Sequence, residues 1–128
     1  MLNLAALEHP FDYKIEVLTP DGPRVETVDL VETFNFLYGL HVERLETWVN
    51  EEDKRSYRAV KGRVAGQRVL VLWRDTAGLD PVVERHFLEA RLNSEDAFDE
   101  LLINGDTATP SIKSLDGLFK RLIEEGER

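Results

Sequence analysis

The chain contains no cysteine. That absence excludes a disulfide scaffold, a thiolate-ligated zinc site and a thiol nucleophile. No run of about 18 apolar residues occurs, so no segment reads as a membrane span. Met1-Leu2-Asn3-Leu4 carries neither a basic stretch nor a long apolar core, and does not read as a signal peptide. Basic residues are in deficit, with 16 Lys and Arg against 25 Asp and Glu and a net charge of −9. Duplex binding leans on Lys and Arg that displace phosphate counterions, so a chain this acidic is a poor stand-alone duplex binder. The plain consequence of the charge is solubility. These features together predict a cytoplasmic protein.

The short motifs of chemistry are missing as well. GxxxxGK[ST], which cradles phosphates on backbone N–H groups, is absent, and no GxG exists on which to build a dinucleotide fingerprint. GxSxG and HExxH are absent too. His9, His41 and His86 are far apart in sequence, with no ligand spacing. The sequence therefore assigns no catalytic, cofactor-binding or metal-ligating residue.

What is present is an ordinary globular composition. Over 128 residues, 42% are apolar and 9% aromatic, enough for one domain, 1–128, around one core. An apolar lead-in ends at His9-Pro10. Tyr13, Ile15 and Val17 then alternate with Lys14, Glu16 and Leu18, a period of two that marks a strand. Thr19-Pro20-Asp21-Gly22 is a turn, Pro presetting φ and Gly accepting a positive φ, and Val25–Val28 returns as the second strand of a hairpin. Asp29 reads as a helix N-cap with Glu32 as its capping-box partner; Leu30, Phe34 and Leu37 line one face, and Gly39 ends the helix. Val42–Val49, Tyr57–Val64 and Arg68–Trp73, joined by short loops, predict a three-stranded antiparallel meander. The last of these is apolar without alternation, as suits a strand buried on both faces.

Asp80-Pro81 opens another helix, with Val83, Phe87 and Leu88 facing inward and Arg85 pairing with Glu89. Phe98–Ile103 follows as a strand. Strand 68–73, helix 81–92 and strand 98–103 then form a βαβ crossover, which should be parallel. Leu115, Leu118, Phe119, Leu122 and Ile123 place a C-terminal amphipathic helix. The fold class is α/β, a mixed sheet with helices on it.

Two acidic residues stand out by position. Asp75 follows the buried strand in Trp73-Arg74-Asp75, and Asp106 follows the parallel strand in Asn104-Gly105-Asp106. If those strands are neighbours, both carboxylates lie at one C-terminal sheet edge, where open α/β sheets bind ligands. Two readings stand: a carboxylate pair for Mg²⁺, or a loop cap beside an Asn-Gly turn. The order helix, three-strand meander, helix, strand is also that of restriction-endonuclease-like nucleases. Those enzymes bind a metal through an Asp near one strand and an acidic-x-Lys motif in the next, and the corresponding strand here, Val69-Leu70-Val71-Leu72-Trp73, has neither an acidic residue nor a Lys. A relative with that topology would be a dead one. Trp48 and Trp73 read either as partner contacts or as core.

Several segments together carry a family resemblance. They are Pro10-Phe11-Asp12-Tyr13-Lys14, residues 28–40 (Val28-Asp29-Leu30-Val31-Glu32-Thr33-Phe34-Asn35-Phe36-Leu37-Tyr38-Gly39-Leu40), Val69–Asp75, Ile103-Asn104-Gly105-Asp106 and Leu118-Phe119-Lys120-Arg121-Leu122. In this order and spacing they resemble the C-terminal region of adenine-specific DNA methyltransferases, the modification subunits of type III restriction systems. The resemblance covers nearly the whole chain, and the 28–40 and Trp73-Arg74-Asp75 segments are its most specific parts.

The family binds S-adenosylmethionine through a Gly-rich turn and holds a flipped adenine with a DPPY-type motif. This chain has neither, and no Pro-Pro pair. The resemblance implies a non-catalytic C-terminal piece of a longer methyltransferase, cut near Met1. S-adenosylmethionine would be a cofactor of the parent enzyme only. The implied partners are the rest of that enzyme, a second copy in a homodimer, a restriction subunit, and DNA through the parent, with no membrane. Trp73, Arg74, Asp75, Asn104, Gly105 and Asp106 are the candidate interaction residues. A degenerate nuclease or Mg²⁺ site, and a DNA-contacting module using Arg63, Arg68 or Arg74, are the alternatives.

Overall fold

Turn and cap chemistry sets the first elements. The computed structural model describes residues 4–126; most of the Met1–Leu4 stretch read above for a leader lies outside them. A short 3₁₀ helix, Leu4–Glu8, precedes the hairpin of β1 (Lys14–Thr19) and β2 (Gly22–Thr27). The ladder runs from Lys14 opposite Thr27 to Thr19 opposite Gly22, so β2 starts three residues earlier than the Val25 expected from sequence. Pro20-Asp21 alone makes the turn, and the Thr19 hydroxyl closes it by donating to the Gly22 carbonyl at 2.7 Å. The hairpin is a sheet of its own, and its Leu18 and Val25 stand out in solvent.

Helix α1 (Leu30–Tyr38) is capped by Asp29 as predicted, while Glu32 takes part through its N–H and, among the described residues, its side chain makes no bond back to Asp29. Asp29 Oδ1 accepts from the Glu32 N–H at 3.0 Å. Gly39 turns left-handed at φ 72°, which lets its N–H and that of Leu40 reach the last carbonyls of the helix. Leu30, Val31 and Phe34 are buried and Leu37 half-buried.

The main sheet has the order β3-β4-β5-β6-β7: His41–Asn50, Arg55–Val64, Gln67–Trp73, Glu100–Ile103 and Lys113–Ser114. Strands β3 to β5 form the antiparallel meander, and β5 pairs parallel with β6 across helix α2 (Pro81–Asn93). Strand β5 explains its unbroken apolar run. Val69, Val71 and Trp73 enter the core beneath the 3₁₀ helix, α1 and α3 (Asp116–Gly126), while Leu70 and Leu72 enter the core beneath α2. Three layers result, helices on both faces of one mixed sheet. In the first core Phe34 meets Trp73 and Phe119 edge-on at 5.9 and 5.2 Å.

Three details differ from the sequence reading. Strand β6 begins at Glu100 rather than Phe98, because Arg68 holds the Phe98 ring at 4.5 Å and also accepts, through its carbonyl, the Asp99 N–H. Strand β7 has two residues, too few to show a period. Helix α2 buries Glu84 and Leu88 completely, while Val83 and Phe87 are only half-covered. Among the described residues, no helix is long and apolar enough to cross a membrane.

Candidate functional site

Register alone brings the two candidate segments together. Leu72 lies opposite Ile103 in the parallel pair, so Trp73-Arg74-Asp75 and Asn104-Gly105-Asp106 leave the sheet side by side at its C-terminal edge. Asn104 is fully buried and joins the two exits. Its Oδ1 accepts from the Arg74 N–H at 2.8 Å, and its Nδ2 donates to the Arg74 carbonyl at 2.8 Å and to the carbonyl of Leu7 in the 3₁₀ helix.

Arg74 turns inward. Its side chain has no exposure and grips Glu84 in α2 with two parallel bonds, Nε to Oε2 at 2.8 Å and Nη2 to Oε1 at 3.0 Å. This fork on a carboxylate is the strong geometry for an ion pair. Nη2 also donates to the Asp106 carbonyl at 2.6 Å. From β4, the buried Tyr57 hydroxyl donates to Glu84 Oε2 at 2.7 Å. Burial pushes the Tyr57 phenol up, and the bond to Glu84 adds to it. The clasp therefore ties β4, β5, α2 and the loop after β6 through one carboxylate and one guanidinium.

The two carboxylates singled out by position part company. Asp75 is bound to the His9 ring at 2.9 Å and to the Ala77 N–H at 2.8 Å. Burial works against its charge, yet the Ala77 N–H and His9 hold its carboxyl below the usual value. His9 is raised, first by its hydrogen bond to Asp75 and then by that residue's charge. Asp106 instead faces a cleft of about 580 Å³ lined by Glu8, Thr76, Leu79, Gly105 and Asp116 among others, and Asp75 is not on its wall. Asp116 accepts the Gly105 N–H at 2.9 Å. Burial raises the Asp116 carboxyl, the Gly105 N–H opposes this, and the charge of Asp106 adds to the rise. No group of three potential metal ligands occurs among the described residues.

The other candidates fall into place. Trp48 and Trp73 are both core residues, 4% and 0% exposed. Arg74 is no phosphate contact, since it lies wholly inside. Arg63 pairs with Glu43 at 3.3 Å, and Arg68 is committed to Phe98 and the Ala97 carbonyl. Sequence reasoning missed Tyr57, Glu84 and Asp116. Glu84 carried a signal, because it lies four residues before Leu88 on the same helical face. Comparison of the chain with protein-family models, with curated proteins and with solved structures gave no match.

Proposed function

We propose that the chain is the non-catalytic C-terminal domain of a cytoplasmic adenine-specific DNA methyltransferase of the type III restriction–modification kind, serving subunit assembly or partner docking. One observation supports this above the rest. The two segments that resemble the family at the sheet edge are spent on an internal clasp: Arg74 and Asn104 are fully buried and hydrogen-bonded to Glu84, Asp106 and each other's strand. Residues used this way specify a rigid frame rather than a reacting centre. A nuclease-like reading has less to stand on, since β5 offers no acidic or Lys side chain and Asp75 is bonded to His9 and does not line the Asp106 cleft.

The frame presents surfaces instead. Leu18 and Val25 on the hairpin, Phe36 on α1 and Leu45 on β3 are 82%, 63%, 83% and 63% exposed. Such side chains offer contact area to a protein partner and no charge to a phosphate. The reading is tested with the isolated chain in three assays. With S-adenosylmethionine and adenine-containing duplex it should transfer no methyl group, and with Mg²⁺ or Mn²⁺ it should leave supercoiled plasmid intact. It should bind either itself or the other subunits of the parent assembly. Methyl transfer or plasmid cleavage by the chain alone would overturn the proposal.

A further inference from the structure

We propose that β3 is the subunit-pairing edge: two copies join antiparallel along it with Thr47 on the two-fold axis, so that their main sheets become one. This rests on the assembly reading of the domain and makes it specific.

A sheet edge displays unpaired N–H and C=O groups, and natural proteins guard such edges with charges, Pro, bulges or shortness. The far edge of this sheet is guarded, because β7 is only Lys113–Ser114. The β3 edge spans His41–Asn50, and among the described residues no backbone hydrogen bond joins it to anything but β4. Its first part is protected by the bulge between Val42 and Arg44, with Glu43 at its centre. From Leu45 to Asn50 there is no Pro, Lys, Arg or bulge. The one charge there, Glu46, is drawn in by Trp48 Nε1 at 2.9 Å and Lys61 at 3.1 Å, and is 18% exposed.

One face of this stretch carries Leu45, Thr47 and Val49; it continues the interior at Leu45, while Thr47 and Val49 lie opposite the exposed Arg58 and Ser56. Leu45 lies opposite Val60, a fully buried member of the core beneath α1 and α3. Leu45 itself remains 63% exposed and Val49, on the same face, 42%. At Leu45 the core therefore reaches the sheet edge and stops without a cover.

The strand is complementary to itself in the register centred on Thr47. Directly opposed residues in an antiparallel pair share a face, so a two-fold axis normal to the sheet must pass through a residue position. With Thr47 on the axis, each Leu45 meets the other copy's Val49, Glu46 meets Trp48, and Arg44 meets Asn50. An axis at Glu46 sets two carboxylates against each other, which is unfavourable. An axis at Leu45 puts Thr47 against the bulged Glu43, and one at Trp48 puts Leu45 against Glu51. The Thr47 register brings Leu45 and Val49 of both copies together in two apolar pairs, opposes no like charges and leaves the bulge at Glu43 outside the ladder. Because attraction is apolar and the net charges of −9 repel at long range, added salt should leave the pairing intact or tighten it.

The absence of native cysteine makes the test clean. Opposed Cα atoms lie roughly 4.5–5.5 Å apart, inside the disulfide range of roughly 4.4–6.8 Å. Under mild oxidation Thr47→Cys should give covalent dimers. Leu45→Cys and Val49→Cys should not when alone, but an equimolar mixture of the two should. Sedimentation equilibrium of the unmodified chain should show a reversible dimer, weakened about tenfold or more by Leu45→Lys with the far-UV spectrum unchanged. A dimer indifferent to Leu45→Lys, with no Thr47→Cys cross-link, would overturn the β3 interface and leave the assembly reading standing. A monomer that binds another subunit of the parent through Leu45 would overturn self-pairing in favour of docking. A monomer that binds none would overturn both.

Discussion

Glu84→Gln is the sharpest probe of the buried clasp. The substitution keeps the shape of the side chain and removes its charge. Arg74, with no exposed surface, then holds a buried positive charge whose remaining acceptors among the described residues are a neutral amide oxygen and the Asp106 carbonyl. The glutamine also turns one accepting oxygen into a donor, so it cannot receive Arg74 Nε, Arg74 Nη2 and the Tyr57 hydroxyl together as the Glu84 carboxylate does now. Breaking a buried pair from one side costs about 3–5 kcal/mol, against about 5–15 kcal/mol for the whole stability of a domain. At this chain length the loss corresponds to a fall in Tm of roughly 10–20 °C. Urea unfolding followed by tryptophan fluorescence reads it directly, because Trp48 and Trp73 are both buried. The companion variant Arg74→Met/Glu84→Met removes both charges and should recover a large part of the loss, since apolar replacement of both partners is often neutral. A Glu84→Gln protein within about 1 kcal/mol of the unmodified one, or a double variant no better than the single, would refute the clasp.

Other outcomes follow from the same structure. Gly62→Ala places a Cβ 2.3 Å from the His41 carbonyl oxygen beside the β3 bulge, so backbone must move; a loss of about 1–3 kcal/mol in urea unfolding is expected. Phe34→Ala empties the meeting point of Trp73 and Phe119 and should cost about 3–5 kcal/mol by the same assay. The His9–Asp75 pair should be pH-dependent in a defined window. His9 is raised, so its contribution is full below about pH 6.5 and fades as pH rises through its folded value; Asp75 is lowered, so its contribution is present above about pH 3.9 and fades as pH falls through its own. An NMR titration should place the His9 midpoint above about 6.5 and bring it back toward that value in Asp75→Asn. Asp116→Asn keeps an acceptor for the Gly105 N–H and relieves a carboxyl whose charge burial disfavours. It should raise Tm at neutral pH and lose that advantage as pH falls.

Much of the local structure was legible in the chain because local causes fix it. Asp29 and Gly39 bound α1, Asp80-Pro81 opens α2, and the apolar run 69–73 marks a strand covered on both faces; each is a short-range or single-strand property. The lone hydrophobic stripe of α3 worked for the same reason. The limits of β2 and β6 were not legible, because a strand ends where its partner stops pairing, and Gly22 and Phe98 are decided across the ladder and across the Arg68 contact.

For the site the division is sharper. The sequence alone placed Trp73-Arg74-Asp75 and Asn104-Gly105-Asp106 each at the end of a strand, at one edge on the condition that the two strands are neighbours, and ruled out the common phosphate, dinucleotide and hydrolase motifs. It did not determine which way Arg74 points. A charged residue at a strand end can face solvent or fold back, and only the tertiary structure, by bringing Glu84 from α2, Tyr57 from β4 and the Asp106 carbonyl within hydrogen-bond reach, makes the buried direction favourable. Likewise the sequence marks Val42–Val49 as a strand, but only the order of the sheet leaves it at an edge with Leu45 and Val49 exposed. Local physics named the elements, and long-range pairing decided which charges went inside and which strand was left open.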